Sequence, residues 1–108
     1  MRIVELKCGT AFMQGTSAKV SNDIVVNNEW RLHGNLIAKR TPDAIEIFDC
    51  GWRTRTTGSR LNAILRMAGT ALRICQRNHV WYLYNYQTGE SEPWTGSMSI
   101  PILTPVAA

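Results

Sequence analysis

The residues best equipped for chemistry lie in one run, Trp52-Arg53-Thr54-Arg55-Thr56-Thr57-Gly58-Ser59-Arg60, where a strand-like segment hands over to a helical one. An oxyanion site needs charge, hydroxyl donors and free backbone N–H groups. The guanidinium forks of Arg53, Arg55 and Arg60 supply the first, and Thr56, Thr57 and Ser59 the second. A helix N-terminus with its dipole supplies the third. Gly58 lets a ligand approach the main chain closely. The bland reading of the same residues is a solvated turn whose threonines cap the helix and whose arginines keep the surface soluble. Arg53, Arg55 and Arg60 would act together in the functional reading.

The run opens a longer basic block. From Cys50 to Gly89 the chain carries Arg53, Arg55, Arg60, Arg66, Arg73 and Arg77 and no aspartate or glutamate. Residues 1–49 are balanced and the tail adds only Glu90 and Glu92, so the net charge of +4 is local to this block. Such asymmetry predicts a face that meets an anion. Directly after the block comes Val80-Trp81-Tyr82-Leu83-Tyr84-Asn85-Tyr86. In a strand Tyr82, Tyr84 and Tyr86 share one face, a row able to stack nucleobases or simply to pair across a sheet. Trp30 and Trp52 align with apolar neighbours and read as core. Trp94, in a polar stretch, reads as exposed at an interface.

Catalytic and metal patterns are missing. His33 and His79 have no carboxylate or cysteine at a useful spacing and read as surface residues, His79 close enough to Arg77 to touch a phosphate. Asp43, Glu46 and Asp49 lie between hydrophobic positions with no base or metal ligand to pair them. Cys8, Cys50 and Cys75 are far apart and contain no C-x-x-C pair, so buried thiols in a reducing compartment are expected, with Cys50 beside Arg53 and Arg55 the one nucleophile candidate. Dinucleotide, Walker A and nucleophile-elbow motifs do not occur. The expectation is a binding protein, not an enzyme, with no metal and no cofactor.

The elements that must position these residues follow from periodicity. Ile3 to Leu6 reads as a short strand, and Ile24 to Val26 as another before the Asn27-Asn28 turn. Glu29 to Lys39 reads as one half-buried strand with Trp30, Leu32, Leu36 and Ala38 inward and a bulge or bend at Gly34. Thr41-Pro42-Asp43 turns it into Ala44 to Cys50. One helix begins near Gly58, capped by Thr56 or Thr57. Its stripe is Leu61, Ile64, Leu65 and Ala68, it ends at Gly69, and Arg60, Asn62 and Arg66 face water. Leu72 to Gln76 and Val80 to Asn85 form a hairpin about Arg77-Asn78-His79, and Gln87 to Glu90 a turn. The fold class is therefore α+β: a curved antiparallel sheet, its closure into a barrel left open, with one short helix on one face.

At 108 residues, 44% hydrophobic and 19% charged, the chain has the size and composition of one globular domain spanning residues 1–108, with 95–108 either an edge strand or a loose tail. No window approaches a membrane span, and Glu5 interrupts any signal-peptide core, so a soluble cytoplasmic protein is expected. An open sheet edge would permit a homodimer.

Leu32-His33-Gly34-Asn35-Leu36-Ile37-Ala38-Lys39, the segment Cys50 to Ala63, and Gln76-Arg77 with Trp81-Tyr82 together resemble a pattern found in small uncharacterised bacteriophage proteins of about this length. The resemblance covers residues 30–82. It implies a setting, the cytoplasm of a bacterial host, and transfers no activity. Two functions fit that setting. In one, Arg53, Arg55, Arg60, Arg66, Arg73 and Arg77 contact phosphates of a nucleic acid or another phosphate-bearing ligand while Tyr82 and Tyr84 meet bases. In the other, the same surface covers a host or defence complex, CRISPR-type for example, as an inhibitor or adaptor.

Overall fold

The computed structural model describes residues 2–101. Among the described residues two helices and nine strands follow one another in the order α1 (Ile3–Gln14), β1 (Ala18–Val20), β2 (Asp23–Val26), β3 (Glu29–Leu32), β4 (Asn35–Arg40), β5 (Ala44–Phe48), α2 (Arg55–Met67), β6 (Leu72–Arg77), β7 (Val80–Asn85), β8 (Ser91–Pro93) and β9 (Ser97–Pro101). The α+β class holds. All strand pairs are antiparallel and form a curved, open six-stranded sheet, β1-β2-β3-β4-β5-β9, and a three-stranded sheet, β6-β7-β8. Within the tail, residues 97–101 are the edge strand of the larger sheet, paired with β5, while residues 102–108 lie outside the described residues.

The segment Ile3 to Leu6 is a helix, not a strand. Glu5 sits at the third helical position and its Oε1 accepts the Arg2 N–H at 3.2 Å, while Gly15 at φ 74° closes the far end in the left-handed conformation that a residue without Cβ adopts freely. The alternation misleads because the inward stripe is Glu5, Cys8, Gly9 and Phe12, at i, i+3, i+4 and i+7, whereas Ile3 (73%) and Leu6 (55%) are exposed. A buried acid and a buried glycine carry little apolar signal. A Cβ on Gly9 would meet the flexible end of the Met67 side chain of α2, which would have to shift to admit it.

Glu29 to Lys39 is two strands joined at His33-Gly34, whose φ values of 52° and 81° mark a tight two-residue hairpin. Such a turn places residues i and i+3 opposite each other on one face, which reverses the inward parity. A bulge then reverses it back: Trp30 pairs with Ala38 and Arg31 with Leu36, leaving Ile37 unmatched. Ile37 and Ala38 are consequently both buried, and the apparently unbroken alternation from Trp30 to Ala38 conceals two compensating shifts. The hairpins at Asn27-Asn28 and Asn78-His79 use the same left-handed pair of residues and form where expected.

α1 packs on β1 to β3 and against α2, and α2 packs against both β4 and β6, so it links the two sheets. Trp30, Phe12, Ile37, Ile47, Leu61, Ile64 and Leu65 form the centre of the core. Burying each such side chain is worth about 1.5–3 kcal/mol. The two remaining tryptophan expectations invert. Trp94 is 5% exposed and donates Nε1–H to Asp49 Oδ2 at 2.8 Å, whereas Trp52, in the β5–α2 connection, is 59% exposed.

Candidate functional site

α2 begins three residues earlier than Gly58. Its cap is Thr54, whose Oγ1 accepts the Thr57 N–H at 3.1 Å, and Thr57 itself is buried with its hydroxyl 3.0 Å from that of Thr54. Thr57 is thus structural, and Thr56 is partly exposed beside it. Starting the helix at Arg55 sets the phase of everything after it.

That phase divides the arginines. Arg60 lies three residues after Thr57 and four before Ile64, on the inward stripe, and is 6% exposed. It does not face water. Its Nη1 donates to Glu5 Oε2 at 2.7 Å, Nε to Asp23 Oδ2 at 2.7 Å and Nη2 to Asp23 Oδ1 at 3.2 Å. Trp30 Nε1–H donates to the same Asp23 Oδ2 at 3.0 Å, and the Ser59 hydroxyl donates to Glu5 Oε2. Burial by itself would raise the Glu5 carboxyl, but the bonds from Ser59, the Arg2 N–H and Arg60 outweigh it and leave the group below its ordinary 4.5. For Arg60 burial favours the neutral form, and the two carboxylates overcome that and hold the guanidinium charged. Arg60 is therefore an internal tie of α1, β2, β3 and α2, enclosed by its carboxylate partners, and the Ser59 hydroxyl adds a bond from α2 to Glu5 of α1.

Arg53 is also engaged. Its Nε donates to Asp49 Oδ2 at 3.1 Å and its Nη2 to the Trp94 carbonyl at 3.3 Å. Asp49, which looked unpaired in the sequence, accepts from Gly51 N–H, Arg53 and Trp94 and so fixes the turn that enters α2. Cys50 is exposed rather than buried, in a left-handed conformation, with Sγ 2.7 Å from the Leu36 carbonyl oxygen. Desolvation and the Asp49 carboxylate push its thiol up, which disfavours the thiolate.

Of the six arginines in the acid-free block, four have no carboxylate within ion-pair distance among the described residues: Arg55, Arg66, Arg73 and Arg77. Three of them line one open cleft of about 440 Å³ between α2 and β6. Arg55 and Arg66 come from the helix, with Ser59 and Asn62 between them at i+4 and i+7. Arg73 and Gln76 come from the strand, and Trp81 closes the inner wall against Gly58. Asn62 bridges the two walls, donating Nδ2–H to the Ile74 carbonyl at 2.9 Å and accepting the Ile74 N–H at 2.7 Å. It satisfies the middle of the β6 edge that would otherwise be an unpaired template. Nothing in the sequence marked Asn62 for this role.

β6 and β7 place the tyrosines as alternation requires. Trp81 and Leu83 are buried towards α2, while Tyr82 and Tyr84, opposite Cys75 and Arg73, are half-buried on the other face, and Tyr86 is exposed. Arg73 Nη1 is held by the carbonyls of Thr70 (3.1 Å) and Leu72 (2.6 Å), and its Cζ lies 5.2 Å from the centroid of the Tyr86 ring. Arg77, His33 and His79 are exposed. Among the described residues no three His, Cys, Asp or Glu side chains gather as a metal site.

The family model of the Kyanoviridae Gp96 protein matches residues 1–100. The chain belongs to this phage protein family. The match extends beyond the segment in which a phage resemblance was legible and takes in α1, with its buried Glu5. No curated protein and no solved structure matches the chain. Among the described residues no helix of this Gp96-family chain is long and apolar enough to cross a membrane.

Proposed function

We propose that the protein binds nucleic acid through the arginines that folding leaves uncompensated around β6. One observation carries the reading. The fold consumes Arg53 and Arg60 internally yet leaves Arg55, Arg66, Arg73 and Arg77 without a carboxylate partner, three of them on one cleft. Arg55 even sits in the first turn of α2, where no acidic residue accompanies it and a cation opposes the helix dipole, so stability does not account for its presence. Each side chain offers a planar fork for phosphate oxygens.

Fluorescence anisotropy with labelled DNA and RNA oligonucleotides, at two salt concentrations, tests this. Binding should weaken steeply with salt, and the Arg55→Ala/Arg66→Ala/Arg77→Ala variant should lose most of it while melting like the parent. No binding at low salt would overturn the reading. A second reading, contact with a protein of the host, draws on Trp52, which is exposed beside a cleft of about 370 Å³ lined by Leu32, Ile37, Thr54 and Thr56. It predicts a partner from host lysate that Trp52→Ser fails to retain.

A further inference from the structure

We infer that the nucleic acid bound is single-stranded, and that it lies on the face of the small sheet turned away from α2; this rests on the nucleic-acid reading above. In the β6-β7-β8 sheet, cross-strand partners share a face. Arg73 and Arg77 from β6, Tyr82 and Tyr84 from β7, and Ser91 and Pro93 from β8 therefore stand together, opposite the side that Ile74, Trp81 and Leu83 pack on α2. Among the described residues of these three strands no carboxylate belongs to this face, because Glu92 pairs with Leu83 on the other one. The residues that the three strands place on it are cationic and aromatic.

Two details point to an unpaired strand. Tyr82 and Tyr84 are two residues apart, which in a strand separates equivalent atoms by about 6.6–6.8 Å. Bases stacked in a duplex repeat every ~3.4 Å along each strand and leave no ring face free, so they cannot use two platforms at this spacing. An extended single strand exposes both faces of every base and can step from one tyrosine to the next. The second detail is Arg73. Two main-chain carbonyls and the Tyr86 ring fix its guanidinium, and none of the three carries a charge. Its positive charge is oriented beforehand yet not neutralised, so a phosphate that meets it needs no side-chain ordering at that position. Arg55 and Arg66 lie round the β6 edge from this face, on the cleft to which Arg73 also contributes, and provide a phosphate track continuous with the tyrosine row.

The test compares a fluorescein-labelled 12-nucleotide strand with the same strand annealed to its complement, using the full chain and its Tyr82→Leu/Tyr84→Leu and Tyr84→Phe variants. The parent should bind the single strand at least about 10-fold more tightly than the duplex. The leucine variant should lose about 30-fold or more for the single strand, the loss expected when two stacking platforms are removed, and little for the duplex. Tyr84→Phe keeps the ring and should keep the affinity. Equal or tighter binding of the duplex by the parent overturns the inference while leaving nucleic-acid binding intact, and this comparison decides even if the leucine variant does not fold. Equal losses for both polymers in a folded leucine variant overturn it as well. Failure of the parent to bind either polymer defeats the nucleic-acid reading itself.

Discussion

Arg60 and Arg66 are six residues apart on one helix, on different faces, and have opposite fates. Arg60 is enclosed by Glu5, Asp23 and Trp30 and binds three elements to α2, whereas Arg66 faces solvent at the rim of a cleft with no carboxylate partner among the described residues. The same contrast separates Arg53, tied to Asp49 and Trp94, from Arg55 two residues later. Residue type and local density cannot tell a structural arginine from a ligand-binding one. What tells them apart is whether the helical phase brings the side chain to a carboxylate inside or leaves it outside.

The sharpest way to break the contrast is Arg60→Ala. It strands two buried carboxylates, and we expect a loss of about 3–5 kcal/mol in urea-denaturation experiments. Arg66→Ala should shift stability by no more than about 0.5 kcal/mol. Comparable losses in the two variants would show that the internal network is not what distinguishes them. Next in size is Asp49→Ala, which leaves Trp94 Nε1–H, Gly51 N–H and Arg53 without their acceptor and should cost about 1–3 kcal/mol, read from the unfolding midpoint by tryptophan fluorescence.

Acid sharpens the comparison further. Because the folded protein holds Glu5 below its ordinary 4.5, the unfolded chain binds this proton more readily. The stability Glu5 contributes is thus complete above pH 4.5 and drains away as pH falls through the lower folded value. Denaturation curves from pH 6 to pH 2 should show that decline in the parent, and Glu5→Gln should be flatter across it. On the open side, removing Arg55, Arg66 and Arg77 together should leave the melting curve nearly unchanged but lower the salt dependence of oligonucleotide binding, by about 0.7 in log–log slope per lost phosphate contact for single strands. Smallest is Trp52→Ala, an exposed side chain whose loss should move stability by less than about 0.5 kcal/mol in the same assay.

Much of the β structure was legible because its signals are local. Asn27-Asn28 and Asn78-His79 suit turns that need positive φ at both positions, and Ile45 and Ile47 alternate with Glu46 in β5 as a half-buried strand must. The hairpin at His33-Gly34 was not legible, since its change of parity is undone by the bulge at Ile37. α1 was hidden because its inward stripe is polar in part. Of the residues read from the sequence as a ligand face, Tyr82, Tyr84, Arg66, Arg73 and Arg77 lie on or near the surface, whereas Arg60 and Thr57 are buried and Ser59 donates to Glu5 at the cleft.

The sequence alone determined that this protein has an acid-free arginine block followed by alternating tyrosines, and that β2, β5, β6, β7 and the second helix fall roughly where period and turn residues place them. These properties depend on neighbours in the chain. Only the tertiary structure decided which arginines carry an available charge. A carboxylate neutralises a guanidinium only within a few ångströms, and Arg60's partners, Glu5 and Asp23, lie 55 and 37 residues away along the chain.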